Sequence, residues 1–280
     1  MLPQPPATSS RLGVNAGARL DRLPVSRFHR RLFALVGFGM FFDGFDIYIA
    51  ASVLSATVAT GFSTLAQNAA FISATFAGMM LGAFVTGFLG DHRGRRYTYQ
   101  LNLAVFGLAS LLAAFAPTMP ALIVLRFFMG VGLGAENVVG YSTLTEFLPP
   151  ATRGRWLGFL SVLVVSGLPA SSLIAWIVVP TLGWRAMFLI GGVGSLAVWA
   201  ARRRMPESPR WLVSVGRLDE ADRLVSAVEA EVAGEHGALP PPRPPAPDLH
   251  HAGIHHERSV GILFRAPLFG RLVLGCICLI

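Results

Sequence analysis

Six apolar runs, most of them close to the ~20 residues that a membrane-crossing helix needs, recur along this chain. They lie at 32–54, 67–89, 99–116, 120–147, 156–179 and 184–201. Inside a bilayer every backbone N–H and C=O must be satisfied within the protein, so runs of this kind fold as helices. Composition agrees: 53% of residues are hydrophobic and 14% charged, against about 25% charged in a soluble domain. The first run is too long for the apolar part of a cleavable leader and keeps its flanking charges, so no cleaved signal peptide is expected.

Arginine placement orients the bundle. All 23 basic residues are Arg, and the net charge is +8. Arg11, Arg19, Arg22, Arg27, Arg30 and Arg31 precede the first run. Arg93, Arg95 and Arg96 follow the second, Arg153 and Arg155 the fourth, and Arg202, Arg203 and Arg204 the sixth. The alternate loops carry only Arg185. The bias holds at every crossing and predicts a cytoplasmic N-terminus in a multi-pass protein of the cell membrane. It also accounts for the basic balance. With no basic helix and no aromatic-basic surface, nucleic acid is excluded as a partner.

The flanks read differently. Residues 1–31 form a cytoplasmic arm rich in Pro, Ser and Arg, expected to be mostly disordered apart from a short helix before the first span. Residues 202–266 form a cytoplasmic segment. Within it, RLDEADRLVSAVEAEVAGEHG reads as a short amphipathic helix and ALPPPRPPAPD as a polyproline-like linker. His250, His251, His255 and His256 cluster as metal ligands can. No second ligand cluster accompanies them, so they read as a solvated linker, and no metal or cofactor is expected. Cys276 and Cys278 share one apolar run and make no disulfide framework. That run, 267–280, is about 14 residues long and does not cross a bilayer. It reads as the start of a seventh span of something longer.

Ionisable residues inside spans are functional candidates by default, because burying them is costly. Four stand out: Asp43, Asp46, Arg126 and Glu136. Asp43 and Asp46 lie three residues apart, on one helix face. Two carboxylates that close in a poor solvent cannot easily both stay ionised, and the pair is expected to titrate as a unit. Gly44 between them allows a helix or a substrate to approach. Arg126 stays charged and needs an anionic partner, for which Asp46 is the first choice. That pair could equally be a static contact that orders the bundle. Glu136 lies about 15 Å along the same helix from Arg126, roughly 80° off its face. It could move protons, or contact a neighbouring span through Asn137. Gly78, Gly82, Gly130, Gly132 and Gly134 suit close helix packing. Phe41, Phe42, Phe45 and Tyr48 read mostly as packing or lipid-facing residues. Pro169 should kink the fifth span.

Between the second and third spans, GFLGDHRGRR is Gly-rich and dense in charge. Asp91 there can contact a helix N-terminus or an arginine, as a cytoplasmic clasp. The stretch resembles the loop signature of the major facilitator superfamily, with Gly87, Asp91, Gly94, Arg95 and Arg96 at its positions and His92 where a basic residue is usual. Glu146 followed by Arg153 and Gly154, in EFLPPATRGR, resembles the matching signature after span four. PESPRWL, with Pro206, Glu207, Ser208 and Arg210, resembles the sugar-porter signature after span six. The resemblance covers residues 32 to about 216.

It implies an all-α membrane protein: the six-span N-terminal half of a twelve-helix bundle, plus the start of a seventh span, whose missing C-terminal half completes the transporter. The halves would rock around a central site. GFD at 44–46 resembles the sugar-porter pattern in which a span-one acid faces a span-four Arg. That makes Asp46 the proton-coupling acid and Arg126 its switchable partner. Asp43 would be a second proton site or a substrate contact. The DGFD spacing resembles the aromatic acid:proton symporters, which suggests a benzoate- or nicotinate-like acid, with a sugar as the other possibility. In that reading Arg126 could bind the substrate anion while the acids carry protons. Span five lacks the Gly-Pro pattern usual in drug antiporters of the superfamily, which favours uptake over export. An enzyme would need a nucleophile with its base, or a metal constellation, and none is visible. A truncated, non-transporting half-protein is the remaining alternative.

Overall fold

A computed structural model of the chain describes residues 15–242, 269–270 and 273–274. The chain divides into two units, Met1–Arg243 and Pro244–Ile280. In the second, the four described residues are helical. The four clustered histidines, Cys276, Cys278 and most of the 267–280 run lie outside the described residues.

Among its described residues the first unit holds helices and no strand. The order is α1 (Ala16–Asp21), α2 (Arg27–Ala59), α3 (Leu65–Arg93), α4 (Arg95–Ala114), α5 (Met119–Phe147), α6 (Pro150–Val165), α7 (Gly167–Leu182), α8 (Arg185–Ala201), a 3-10 turn at Arg202–Arg204, α9 (Pro209–Ser214) and α10 (Leu218–His236). By length and composition α2, α3, α4, α5 and the α6–α7 pair can each cross a membrane, and α8 adds a shorter apolar helix of 17 residues. The helices outrun the apolar runs because polar residues cap them. Thr64 and Gln67 exchange hydrogen bonds of 3.0 and 3.3 Å at the start of α3, a capping box. Pro120 and Pro150 sit in the first turns of α5 and α6, where a missing N–H costs nothing.

The fifth span bends in the turn before Pro169, as a proline kink does. The helix is interrupted at Ser166, three residues before Pro169. Pro169 has no N–H to offer the Val165 carbonyl four residues back, and its ring pushes that carbonyl away. The break is used for packing. A Cβ at Gly167 would lie 2.6 Å from the carbonyl carbon of Gly44, so α7 meets α2 backbone to backbone. The space at Gly44 is thus filled by a helix. Close approach recurs between α3 and α5, where a Cβ at Gly78 would lie 3.0 Å from the Val131 nitrogen and one at Gly130 3.2 Å from Gly78 Cα.

The buried apolar residues form two clusters across the bundle. On α2 one contains Leu32, Val36 and Met40, and the other Phe45, Ile49 and Val53. On α5 the first contains Val139 and Leu144, and the second Leu122, Met129 and Leu133. Numbers fall on one helix as they rise on the other, so α2 and α5 run antiparallel. The seam between the clusters falls at Asp43 on α2 and at Glu136 on α5. Outside the bundle, Phe76, Met80, Phe84 and Phe88 stand exposed one turn apart on α3, a stripe suited to lipid.

Within residues 15–31 the short helix expected before the first span is α1, and it is packed. A third cluster packs Ala16, Leu20 and Leu23 against Val225, Val228 and Val232 of α10. The apolar positions of RLDEADRLVSAVEAEV recur every three or four residues, which gives α10 one apolar face. That face needs cover, and α1 supplies part of it.

Candidate functional site

Asp46 and Arg126 form an ion pair in the heart of the bundle, and neither side chain exposes more than 1%. Arg126 Nε donates to Thr75 Oγ1 at 2.9 Å, Nη2 donates to the Asp46 carbonyl at 3.4 Å, and the guanidinium lies 5.0 Å from the Phe71 ring centre. Three helices thus converge: α2 brings the acid, α5 the guanidinium and α3 the hydroxyl. Asp46 Oδ1 is buried without a hydrogen-bond partner. Phe45 beside it is 1% exposed and packs in the core.

Glu136 meets a residue that the sequence placed elsewhere. It pairs with Arg202, and both side chains are 1% exposed. Arg202 also donates from Nε to the Leu35 carbonyl and from Nη2 to the Val36 carbonyl, each at 2.8 Å. Asn137 turns its amide back to its own helix, donating to the Leu133 carbonyl at 3.1 Å. Sequence position had cast Arg202 as a loop charge with Arg203 and Arg204. The available signal was Gly39: a Cβ there would lie 2.7 Å from the Arg202 guanidinium carbon and 3.0 Å from Glu136 Oε1.

Asp43 and Asp46 share a helix face but belong to different centres. Asp43 is 1% exposed, and neither carboxyl oxygen has a hydrogen-bond partner. Asp43 lies one turn along α2 from Gly39, the position where the Arg202 guanidinium and Glu136 both come close to the helix.

At the ends predicted to be cytoplasmic, the loop motifs form a connected layer. Glu207 Oε1 accepts from the backbone N–H of Arg95 at 2.8 Å and of Arg96 at 3.1 Å. This carboxylate caps the N-terminus of α4, the role considered for Asp91. Burial, aided by the charge of Glu146, holds the Glu207 pKa above the ordinary range despite backbone N–H groups of Ser208, Arg96 and Arg95. Asp91 is largely exposed and contacts Arg95 at 3.3 Å, one turn on. Arg95 also reaches Glu146 at 3.2 Å. Gly94 has φ +91°, and a Cβ there would lie 2.9 Å from the Glu207 carboxyl carbon. A Cβ at Gly87 or Gly154 would meet nothing within 4 Å, so neither glycine is needed for close packing in this unit. Arg96 donates to the Arg203 carbonyl at 2.8 Å. Ser208, after Pro206, caps α9. Arg153 and Arg210 converge on Asp21 at 3.3 and 2.7 Å, which ties the arm to the layer.

A six-span helical unit with buried charge pairs and a layer of loop motifs at one end is the N-terminal half of a major facilitator superfamily fold. The family described as "Sugar (and other) transporter" matches residues 32–242, and the chain belongs to it. It is a family of transporters, not of enzymes. The inner membrane metabolite transport protein YdjE of Escherichia coli is 41% identical over 81% of this chain and 50% of its own length. The niacin transporter NiaP of Acinetobacter baylyi is 35% identical over 76% of this chain and 48% of its own length. The chain therefore spans about half the length of these curated relatives. Among solved structures, the xylose transporter XylE from E. coli, partially occluded and inward open, superposes with a TM-score of 0.65 at 17% identity. That match covers 75% of this chain and 57% of XylE. At this identity the likeness concerns the fold.

Proposed function

We propose that this chain supplies the first six spans of a secondary transporter of the cell membrane, with its N-terminus in the cytoplasm. The complete protein takes up a small carboxylic acid together with protons. Residues 202–266 join the two halves, and 267–280 begin the seventh span.

The Asp46–Arg126 pair carries this reading. A fully buried ion pair is poor stabilising currency, since desolvation offsets most of its Coulomb gain. Its value lies in being switchable. A proton delivered to Asp46 removes the negative charge and frees Nη1 of Arg126, while Thr75 still holds Nε and the long bond from Nη2 to the Asp46 carbonyl leaves the second Nη2 N–H free. The freed edge of the guanidinium can grip a carboxylate bidentately. Deprotonation returns the guanidinium to Asp46 and expels the anion. The Asp46 carboxylate and the substrate anion therefore compete for one arginine, so a proton on Asp46 favours anion binding, which couples the two in symport. A relative named as a niacin transporter supports an aromatic carboxylate as the substrate class. The cytoplasmic layer around Arg95, Glu146 and Glu207 is the latch that rocking of the halves must open.

The test is uptake of labelled nicotinate and benzoate by vesicles holding the full-length protein, with and without an inward proton gradient. Gradient-driven accumulation should vanish in Asp46→Asn while the protein still inserts. Undiminished, gradient-dependent accumulation by that variant would falsify the assignment of Asp46.

A further inference from the structure

The cycle above leaves Asp43, Glu136 and Arg202 unused. Counting charge in the bundle shows why they matter. Asp43, Asp46, Glu136, Arg126 and Arg202 are each at most 1% exposed. Three carboxyls face two guanidiniums. Arg126 takes Asp46 and Arg202 takes Glu136. That leaves Asp43, buried, with both oxygens unpartnered. A carboxyl in such surroundings is neutralised by a proton, because an isolated buried anion is far more costly.

The surroundings are built for this. Gly39 opens the space that the Arg202 guanidinium fills. The Leu35 and Val36 carbonyls fix two of its donors, leaving the third directed at Glu136. Tyr99 of α4 places its ring centre 5.9 Å from the guanidinium carbon. From α2 itself the facing charge is Asp46, with Arg126 of α5 behind it. Between Trp156 and Leu182, α6 and α7 contain no charged residue. Glu136 Oε2 is also buried and unpartnered. The seam between the two apolar clusters holds the group.

We propose that Asp43, Glu136 and Arg202 form a second proton-binding centre, separate from Asp46–Arg126, in which Arg202 holds Glu136 while Asp43 carries one proton. When that proton leaves to water, Asp43 becomes a carboxylate and draws Arg202 away from Glu136. When a proton returns, the guanidinium goes back. Because Arg202 is bonded to two α2 carbonyls, its movement shifts the end of α8 against α2. The centre's part in transport rests on the proton-coupled reading above; its occupancy by a proton does not.

Infrared difference titration of the purified full-length protein reads the proton without any substrate. At neutral pH the wild type should show the C=O band of one buried, protonated carboxyl. Asp43→Asn should remove it. Glu136→Gln frees Arg202 to pair with Asp43 and should remove it as well. Arg202→Met removes a cation, so a second carboxyl must take a proton and the band should grow about twofold. A wild type without the band, an undiminished band in Asp43→Asn, or an unchanged band in Arg202→Met overturns the proposal. If Asp43→Asn does not fold, Arg202→Met alone decides. The expected bands together with no acid uptake would sink the symport reading and leave the centre standing. The reverse result would remove the centre and leave Asp46.

Discussion

Carboxylate and guanidinium meet in two regions of this protein under opposite conditions. Inside the bundle, Asp46–Arg126 and Glu136–Arg202 are shut off from water. Where α1 docks on α10, outside the spans, Arg19 and Arg22 both reach Glu229 at 2.6 Å, with each side chain still partly exposed. The chemistry is the same and the energetics are not. Outside, water and salt screen each pair, a broken pair is re-solvated, and the contacts trim the docking of α1 on α10. Inside, a broken pair leaves a charge with nowhere to go, so the pair is either whole or changed in protonation. The difference teaches where a proton can act as a switch: only where its removal cannot be made good by water.

Four substitutions sharpen or break that contrast. The largest effect belongs to Arg126→Met, which strands Asp46. Thermal unfolding of the solubilised full-length protein should show a loss of about 3–5 kcal/mol. Adding Asp46→Asn should recover most of that stability but no uptake. Additive losses in the double variant would mean that the two residues do not act as a pair.

Gly39→Ala comes next. Its Cβ would displace the Arg202 guanidinium, at about 1–3 kcal/mol for overpacking. In an Arg202→Met background the same change should cost clearly less, which unfolding of the four-variant cycle would read. Equal cost in both backgrounds would detach Gly39 from Arg202.

Gly94→Ala follows, at about 1–3 kcal/mol for a non-glycine residue held at φ +91°, ψ 166°. Hydrogen exchange should localise its effect to the first turn of α4, where Glu207 accepts from Arg95 and Arg96. Exchange that rises uniformly across the bundle would contradict a local role.

Glu229→Gln should have the smallest effect, about 1 kcal/mol or less, fading in high salt. Burial raises the Glu229 pKa, but hydrogen bonds from Arg19 and Arg22 outweigh it and hold it below the ordinary range. Its contribution is therefore complete above the usual glutamate value of about 4.3. It is lost as pH falls through the lower value of the folded state. Melting curves of wild type and variant should converge on acidification. A gap that widens in acid would reverse the assignment.

Much of the architecture was legible because the bilayer allows few solutions. Apolar runs of sufficient length must be helices, and arginines at alternate ends orient them. The candidate pair Asp46–Arg126 was readable too, since an arginine in a span demands an acid. Arg202 was not. It follows the sixth run in a string of three arginines, and only the packing of α8 against α2 and α4 carries its side chain inward to Glu136. The bend of the fifth span was legible from Pro169, and it falls at Ser166 because proline acts on the carbonyl four positions before it. The short helix of the arm was legible but its docking was not, because no local pattern says that Leu20 and Leu23 will meet α10.

The sequence by itself determined the number of spans, the sidedness its arginines predict and which residues are too costly to bury idly. These follow from local chemistry, the free energy of moving each residue type between water and hydrocarbon. Only the tertiary structure decided which acid meets which arginine. It separated Asp43 from Asp46 into different centres and brought Glu207, rather than Asp91, to the start of α4. Those choices depend on distances between helices far apart in the chain. Glycines and one proline set these distances by fixing how closely the backbones approach, and no window of sequence contains both partners.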